Sequence, residues 1–206
     1  MFHKTKFLKK INSVVKYLIL SDIFIIGSFG LIAPIFAVYI NDNIPGATLE
    51  VIGIAETIFF LARSLAQIPV GRIVDNTKGE SDDFWSLLIG SALISATPLL
   101  YLVMETPMHL YLTQLFYGVG SAIALPTWLA IFARHLDKNH EGVEWSIYET
   151  LKDLSTAVSA AVGGFIAYRF GFDLLFIIIS ILSFIGTLFI FKIRSSMKSG
   201  RVIDFF

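Results

Sequence analysis

The chain of 206 residues contains no cysteine and few charged residues. The absence of cysteine excludes disulfide bonds, thiol catalysis and metal sites built from thiolates. Charged residues make up 16% of the chain, whereas soluble domains carry about 25%. The mean hydropathy is +0.74, and 55% of the residues are hydrophobic. This composition is too apolar for a soluble domain and indicates an integral membrane protein.

The chain also lacks the features of nucleic-acid-binding proteins, metalloproteins and enzymes. Its 16 basic and 16 acidic residues cancel, and the lysines of residues 4–16 are explained by an orientation signal, so we expect no nucleic-acid partner. The 4 histidines lie at predicted helix ends or in loops without ligand-like spacing, which predicts no metal site. No nucleophile, base and orienting acid converge outside the apolar runs, and no phosphate-binding glycine loop is present. We therefore expect no enzymatic activity and no cofactor.

Six long apolar runs occupy most of the chain. Each has about 20 to 25 residues, enough for a helix to cross a hydrocarbon core of about 30 Å. They predict an all-α membrane protein with six transmembrane helices, near Tyr17–Ile40, Leu49–Arg72, Phe84–Met104, His109–Ala133, Ser146–Arg169 and Phe172–Lys192. The chain then divides into a basic N-terminal segment (1–16), a six-helix domain (17–195) and a C-terminal tail (196–206).

The basic residues indicate how these helices are oriented. When the gaps between the runs are assigned alternately to the two sides, most lysines and arginines fall on one side: Lys4, Lys6, Lys9, Lys10, Lys16, Arg72, Lys78, Arg134, Lys138, Lys192, Arg194, Lys198 and Arg201. Short loops rich in lysine and arginine remain in the cytoplasm during insertion. We therefore expect both termini to be cytoplasmic, in a protein of the cell (inner) membrane surrounded by lipid.

Small residues and prolines are unevenly distributed among the predicted spans. Those inside the first, second, fourth and fifth spans permit kinks and close approach of backbones. They include Gly27, Gly30, Pro34, Pro69, Gly71, Gly118, Gly120, Pro126, Gly163 and Gly164. The sixth span is nearly all Leu, Ile and Phe apart from Ser180, Ser183, Gly186 and Thr187, which predicts a lipid-facing helix.

Two short motifs resemble those of a known family. Segment 67–80 places Gly71 four residues before Asp75 at the end of the second span, and segment 162–172 contains Gly163 and Gly164 near the end of the fifth. Both are similar to motifs of the major facilitator superfamily, one in the loop between its helices 2 and 3 and one at the end of its helix 5. The basic residue that many members carry four places before Gly118 is replaced here by Gln114.

This resemblance implies the N-terminal six-helix half of a major facilitator fold, because members normally contain two such halves. It implies secondary active transport of a small molecule by alternating access, with Gly71 and Asp75 in a cytoplasmic gate. Gly163 and Gly164 are expected to let two helices pack closely, rather than to bind a phosphate group. The chain would then act as a half-transporter in a homodimer or beside a separate C-terminal half. The alternatives are a non-transporting scaffold or regulatory half, or a truncated fragment.

Ionisable residues inside the predicted spans are candidates for function, because charges at this depth are costly and generally mark cavities or partners. They are Asp22, Glu56, Arg63, Glu149, Lys152 and Asp153. In the family, the second span faces the other half's counterpart of the fifth. We therefore predict that Arg63 of one subunit faces Asp153 or Glu149 of the other, with pairing inside one subunit as the alternative. Among the acids, we favour Asp22 as the proton-coupling carboxylate. The alternative is that Asp22 is a helix-entry residue near the lipid headgroups.

The fourth span contributes candidates for the wall of a cavity. They are Gln114, Tyr117, Ser121 and Trp128. Polar side chains inside a bundle also form hydrogen bonds between helices, and this structural role is the alternative to substrate contact.

Overall fold

The computed structural model describes residues 11–76 and 80–199, and this part of the chain is helical apart from short connections. Its elements are α1 (Ser13–Phe29), a 3₁₀ turn (Ala33–Ile35), α2 (Phe36–Asn43), α3 (Leu49–Asn76), α4 (Glu80–Tyr101), α5 (Pro107–His135), α6 (Glu141–Phe170) and α7 (Phe172–Ser199). Lys4, Lys6, Lys9, Lys10, Lys78 and Arg201, used above to predict orientation, lie outside the described residues.

Local sequence explains several helix ends. The Asn12 side chain accepts a hydrogen bond from the Val14 N–H at 2.9 Å, and the Thr106 hydroxyl accepts one from the His109 N–H at 3.3 Å. Both are N-cap residues that satisfy a free donor of the first helical turn. Gly171 separates α6 from α7 with a φ of 84°, a conformation that favours glycine. The turn between the last two helices therefore needs one residue.

The first predicted span is not one continuous helix. α1 ends at Phe29, and the chain passes through Gly30 and the 3₁₀ turn before α2 begins at Phe36. Pro34 lies within that turn and has no N–H to donate to a helix. In contrast, Pro69, Pro98 and Pro126 lie inside the uninterrupted helices α3, α4 and α5. Proline alone therefore does not decide where a span breaks.

Within the described residues, five helical units are long and apolar enough to cross a membrane: 13–43, 49–76, 81–101, 107–135 and 172–194. The first combines α1 and α2. α6, with 30 residues, is about 45 Å long, but its charged and small polar residues make it less apolar than the other five. With α6, these units are the six helices expected from the sequence, and their ends differ from the predicted ends by a few residues.

The helices are arranged in the spatial order α3, α5, α4, α7, α1, α6, with further contacts between α1 and α5. One apolar cluster, at the predicted cytoplasmic end, includes Leu18, Phe84 and Phe132. A second, at the other end, includes Tyr39 and Phe176. α3 and α6 stand at the two ends of this order, and we call them the edge helices.

The sixth predicted span, α7, has exposed apolar residues that include Ile181, Leu188 and Phe191, but it faces lipid along only part of its surface. α7 contacts both α1 and α4, and its residues Leu175, Phe176 and Ile179 are completely buried. The physical reason is its small polar residues. The Ser95 hydroxyl of α4 lies 2.7 Å from the Ser183 hydroxyl and 2.9 Å from that of Thr187. We call this contact the α4–α7 seam.

Candidate functional site

A cavity of about 460 Å³ lies inside the bundle, lined by α1, α3, α4, α5 and α6. Four of its lining residues are charged, and they come from three different helices. Six aromatic residues also line it. The charged and aromatic lining residues are Asp22, Arg63, Glu149, Lys152, Phe29, Phe59, Tyr117, Trp128, Trp145 and Tyr148.

Three of the charged residues form one network between α1 and α6. The Tyr148 hydroxyl donates a hydrogen bond to Oδ2 of Asp22 at 2.8 Å. One turn further along α6, the Lys152 ammonium forms an ion pair with Glu149, and its nitrogen lies 5.2 Å from the centre of the Tyr148 ring. The acid on α1 and the ion pair on α6 are thus joined through the tyrosine.

The fourth charge, Arg63, stands on α3 and is positioned by a close approach of α3 to α5. Gly118 of α5 makes this approach possible, because a Cβ there would lie 2.7 Å from the Phe59 carbonyl oxygen. Within the described residues, Arg63 has neither an ion pair nor a hydrogen bond through its side chain. It is therefore the cavity's uncompensated cation.

Stacked aromatic rings cross the cavity beside Arg63. The Tyr117 ring lies between Phe29 and Phe59, with centroid distances of 5.2 and 4.6 Å. We call these three residues, which join α1, α5 and α3, the aromatic layer. Phe29 is seven residues beyond Asp22 on α1, or about 10 Å farther from the predicted cytoplasmic end. The layer therefore lies on the predicted outer side of the charged residues.

A second aromatic group lies nearer the predicted cytoplasmic end. The Trp128 ring is 4.7 Å from the Tyr148 ring and 4.6 Å from that of Phe132. Trp128 Nε1 is buried, and among the described residues it has no hydrogen-bond partner.

The structure brings together only part of the residue set proposed from the sequence. Asp22, Arg63, Glu149, Lys152, Tyr117, Ser121 and Trp128 line the cavity. Glu56 and Asp153 are exposed and lie outside it. Gln114 is buried and does not line it, and its Oε1 has no hydrogen-bond partner among the described residues.

The glycines and the predicted gate residues lie outside the cavity. A Cβ on Gly163 would lie 1.8 Å from the Leu31 carbonyl oxygen, so α6 touches the backbone at the break between α1 and α2. Gly164 and Gly71 face open space. Asp75 is exposed near the end of α3.

Sequence reasoning missed several residues of the site and one ion pair. Tyr148, Trp145, Phe29 and Phe59 line the cavity but were not candidates, although Tyr148 lies beside Glu149 and one helical turn before Lys152. That spacing would have identified it. Asp83, placed in a loop from the sequence, is buried in α4 and pairs with Arg134 of α5 at 2.5 Å.

Long apolar helices around a cavity with charged and aromatic walls define a polytopic integral membrane protein. The family model for the major facilitator superfamily matches residues 18–203, and the chain belongs to this family. Members carry small molecules across membranes and are not enzymes.

Two curated relatives are similar to parts of this chain. The uncharacterized MFS-type transporter MJ1560 of Methanocaldococcus jannaschii is 29% identical over 147 residues, which cover 71% of this chain and 36% of the relative. The uncharacterized transporter YybO of Bacillus subtilis is 25% identical over 175 residues, covering 84% of this chain and 39% of the relative. The chain thus matches less than half the length of each.

Proposed function

We propose that this chain is one half of a secondary transporter, and that a second six-helix unit completes its cavity. The two units would rock against each other, so that the cavity opens alternately to the two sides of the membrane and carries a small molecule. A second copy of the chain is the arrangement we favour, because two parallel halves can be related by a two-fold axis. The competing arrangement uses a distinct C-terminal half.

The observation that carries this proposal is the exposure of the two edge helices. Only 11% of the most apolar stretch of α3 is buried, compared with 44% in each of the other four spans. Leu65 on α3 and Leu154 and Val158 on α6 are exposed. Both edge helices also reach the cavity, through Arg63 and Lys152. A unit that covered these helices would also provide a further wall for the cavity.

We propose proton coupling through Asp22. It lines the cavity and accepts the Tyr148 hydrogen bond next to the Lys152–Glu149 ion pair. A carboxyl group that exchanges a proton there would alter the charge balance on two helices at once. Glu149 is the second acid in reach of the cavity, whereas the exposed Glu56 and Asp153 could act only at the contact with the second unit.

We also propose that the protein lies in the cell membrane with both termini in the cytoplasm. Basic residues gather at one end of the bundle, where Arg134 pairs with Asp83 and the Arg194 guanidinium lies 5.4 Å from the Phe84 ring centre. This clustering supports the orientation expected from the lysine and arginine rule.

The absence of cysteine permits a direct test of the second unit. Leu65→Cys and Leu154→Cys place single thiols on the two edge helices, and the two variants are co-expressed in one membrane. In a two-fold assembly, the thiols of the two copies should cross-link. Leu188→Cys on α7 is the matched control, because Leu188 is 62% exposed and Leu154 is 59% exposed. Cross-linking of the control to the same extent, or a monomer by native mass measurement, would contradict the homodimer.

Alternating access can be tested without a known substrate. Ser121→Cys places a thiol in the cavity, and a membrane-impermeant maleimide is added to one side of oriented vesicles at a time. A transporter should show labelling from both sides, because the cavity opens to each in turn. Ser95→Cys, buried in the α4–α7 seam, is the control and should resist labelling. Labelling of Ser121→Cys from one side only would indicate a static cavity and a non-transporting scaffold.

A further inference from the structure

The four charged residues of the cavity differ in the partners of their side chains. Lys152 is paired with Glu149, and Asp22 accepts a hydrogen bond from Tyr148. Arg63 has no such partner within the described part of the chain. Removing a charge from water without a partner is costly, and a cation at membrane depth generally marks a ligand or a partner group.

The candidate protein partners of Arg63 are poorly placed to neutralise it. Glu149 is already paired with Lys152, and Asp153 is exposed outside the cavity. Asp22 lines the cavity, but it accepts the Tyr148 hydrogen bond and forms no ion pair with Arg63 among the described contacts. A ligand inside the cavity can reach the guanidinium directly. Arginine binds carboxylates and similar planar or multi-oxygen anions through two parallel hydrogen bonds. These observations favour an anionic ligand.

The cavity walls beside Arg63 are aromatic and suit the apolar part of a ligand. Phe59 lies one helical turn before Arg63 on α3 and belongs to the aromatic layer. Trp128 lines the cavity on the predicted cytoplasmic side of that layer. A volume of about 460 Å³ lies within the range of pockets that bind small organic ligands. A bare inorganic anion would leave these aromatic walls without contact.

We infer that Arg63 is the anchor for the substrate of this cavity, and that the substrate is a small organic anion with an aromatic or apolar body. The anionic group pairs with the guanidinium, and the body packs between the aromatic layer and Trp128. This assignment rests on the proposed transport function, because it gives the chemical class of the molecule carried.

The test measures binding of three matched probes to the full chain in nanodiscs. 3-Phenylpropionate, 3-phenylpropionamide and 3-phenylpropylamine share one body and differ in charge. Tryptophan fluorescence reports occupancy, because Trp128 and Trp145 line the cavity whereas Trp85 does not. We expect the carboxylate to bind at least about tenfold more tightly than the amide, as a charge-assisted pair is stronger than a neutral one. The amine should bind most weakly.

Substitutions of single arginines then test whether Arg63 causes the preference for the carboxylate probe. Arg63→Gln should remove the advantage of the carboxylate and leave amide binding within about twofold, while Arg63→Lys should retain part of it. Arg72→Gln is the matched control on the same helix, because Arg72 is exposed and lies outside the cavity. The Arg72→Gln variant should keep the full preference for the carboxylate over the amide. If Arg63→Gln fails to fold, the three probes on the unmodified chain decide the outcome.

Four results would each contradict the assignment: equal binding of carboxylate and amide, preference for the amine, no saturable binding of any probe, or a preference that survives Arg63→Gln. Restoration of assembly in Arg63→Glu by Asp153→Arg would also do so, since it would show an ion pair between units. The cross-linking and maleimide experiments do not involve Arg63. Failure of the substrate assignment is therefore distinguishable from failure of the transport proposal.

Discussion

The α4–α7 seam and the edge helices use polar residues in opposite ways. In the seam, Ser95, Ser183 and Thr187 are buried and bonded to one another, and the Ser180 hydroxyl donates to the Ser95 carbonyl oxygen at 2.8 Å. The edge helices, in contrast, carry charged side chains that are exposed, such as Glu56 and Asp153. Arg63 on α3 has no side-chain partner among the described residues.

This difference separates two reasons for a polar residue in a membrane helix. Small hydroxyl groups satisfy each other between two helices and stabilise their contact. Charges that remain exposed on a helix with few neighbours need a group from outside the unit, which is either a ligand or a second unit. We therefore expect substitutions in the closed contacts to change the stability of the chain, and substitutions on the exposed faces to change binding or assembly.

The largest effect on stability should come from Gly163→Ala, because α6 meets the backbone at the break after α1 through this glycine. The added Cβ would lie 1.8 Å from the Leu31 carbonyl oxygen, and a backbone atom cannot move aside as a side chain can. Forced overpacking costs about 3 kcal/mol. The free energy of unfolding can be measured by SDS titration in mixed micelles.

The neighbouring Gly164→Ala is the control, since its Cβ would meet nothing within 4 Å. It should leave stability unchanged or raise it slightly, because alanine is the better helix former. Equal losses for the two variants would mean that the contact between α6 and α1 does not limit stability, and the comparison of edges and seam would need revision.

The second largest effect should come from the ion pair between α4 and α5. Asp83 is 1% exposed, whereas the Arg134 side chain is 40% exposed. Arg134→Gln leaves a buried carboxylate without its counter-ion, while Asp83→Asn leaves a guanidinium that can still reach water. We expect a loss of about 2 kcal/mol for Arg134→Gln and about half that for Asp83→Asn, after allowance for solvent screening at the exposed partner. SDS unfolding of both variants and of the double variant tests this order.

Much of the fold could be predicted from the sequence, because the length of an apolar run defines a membrane helix. The ends of α3 and α5 lie within four residues of the predicted ends. The break after α1 and the burial of α7 could not be predicted in the same way. Both depend on what a helix touches: Leu31 meets Gly163, and Ser183 meets Ser95.

The candidate site shows the same limit at the level of single residues. Counting residues along a helix gives the depth of a side chain in the membrane. It does not give rotation, and adjacent residues point about 100° apart around a helix. Lys152 therefore lines the cavity while Asp153 is exposed outside it. Glu56 is also exposed and lies outside the cavity, although it precedes Arg63 by about two turns of α3.

Ser95→Ala should have a smaller effect and tests the seam directly. It removes the hydroxyl that bonds to both Ser183 and Thr187. Hydrogen bonds between membrane helices contribute roughly 0.6 kcal/mol each, so we expect a loss of about 1 kcal/mol in SDS unfolding. Ser146→Ala is the control, because the Ser146 hydroxyl is exposed and bonds only to the Gly142 carbonyl oxygen of its own helix. A loss for Ser146→Ala as large as that for Ser95→Ala would remove the distinction between seam and edge.

The smallest effect on stability should come from Asp153→Asn on the exposed face of α6. Asp153 is exposed, so the substitution should change the free energy of unfolding by less than about 0.5 kcal/mol. Its effect should appear in assembly, if the second unit brings a cation to this face. The cross-linking yield between Leu65→Cys and Leu154→Cys is then expected to fall in the Asp153→Asn background, with Asp173→Asn on α7 as the control. A normal yield would leave Asp153 without a role at the contact, and the apolar residues of the edge helices would have to hold the two units together by themselves.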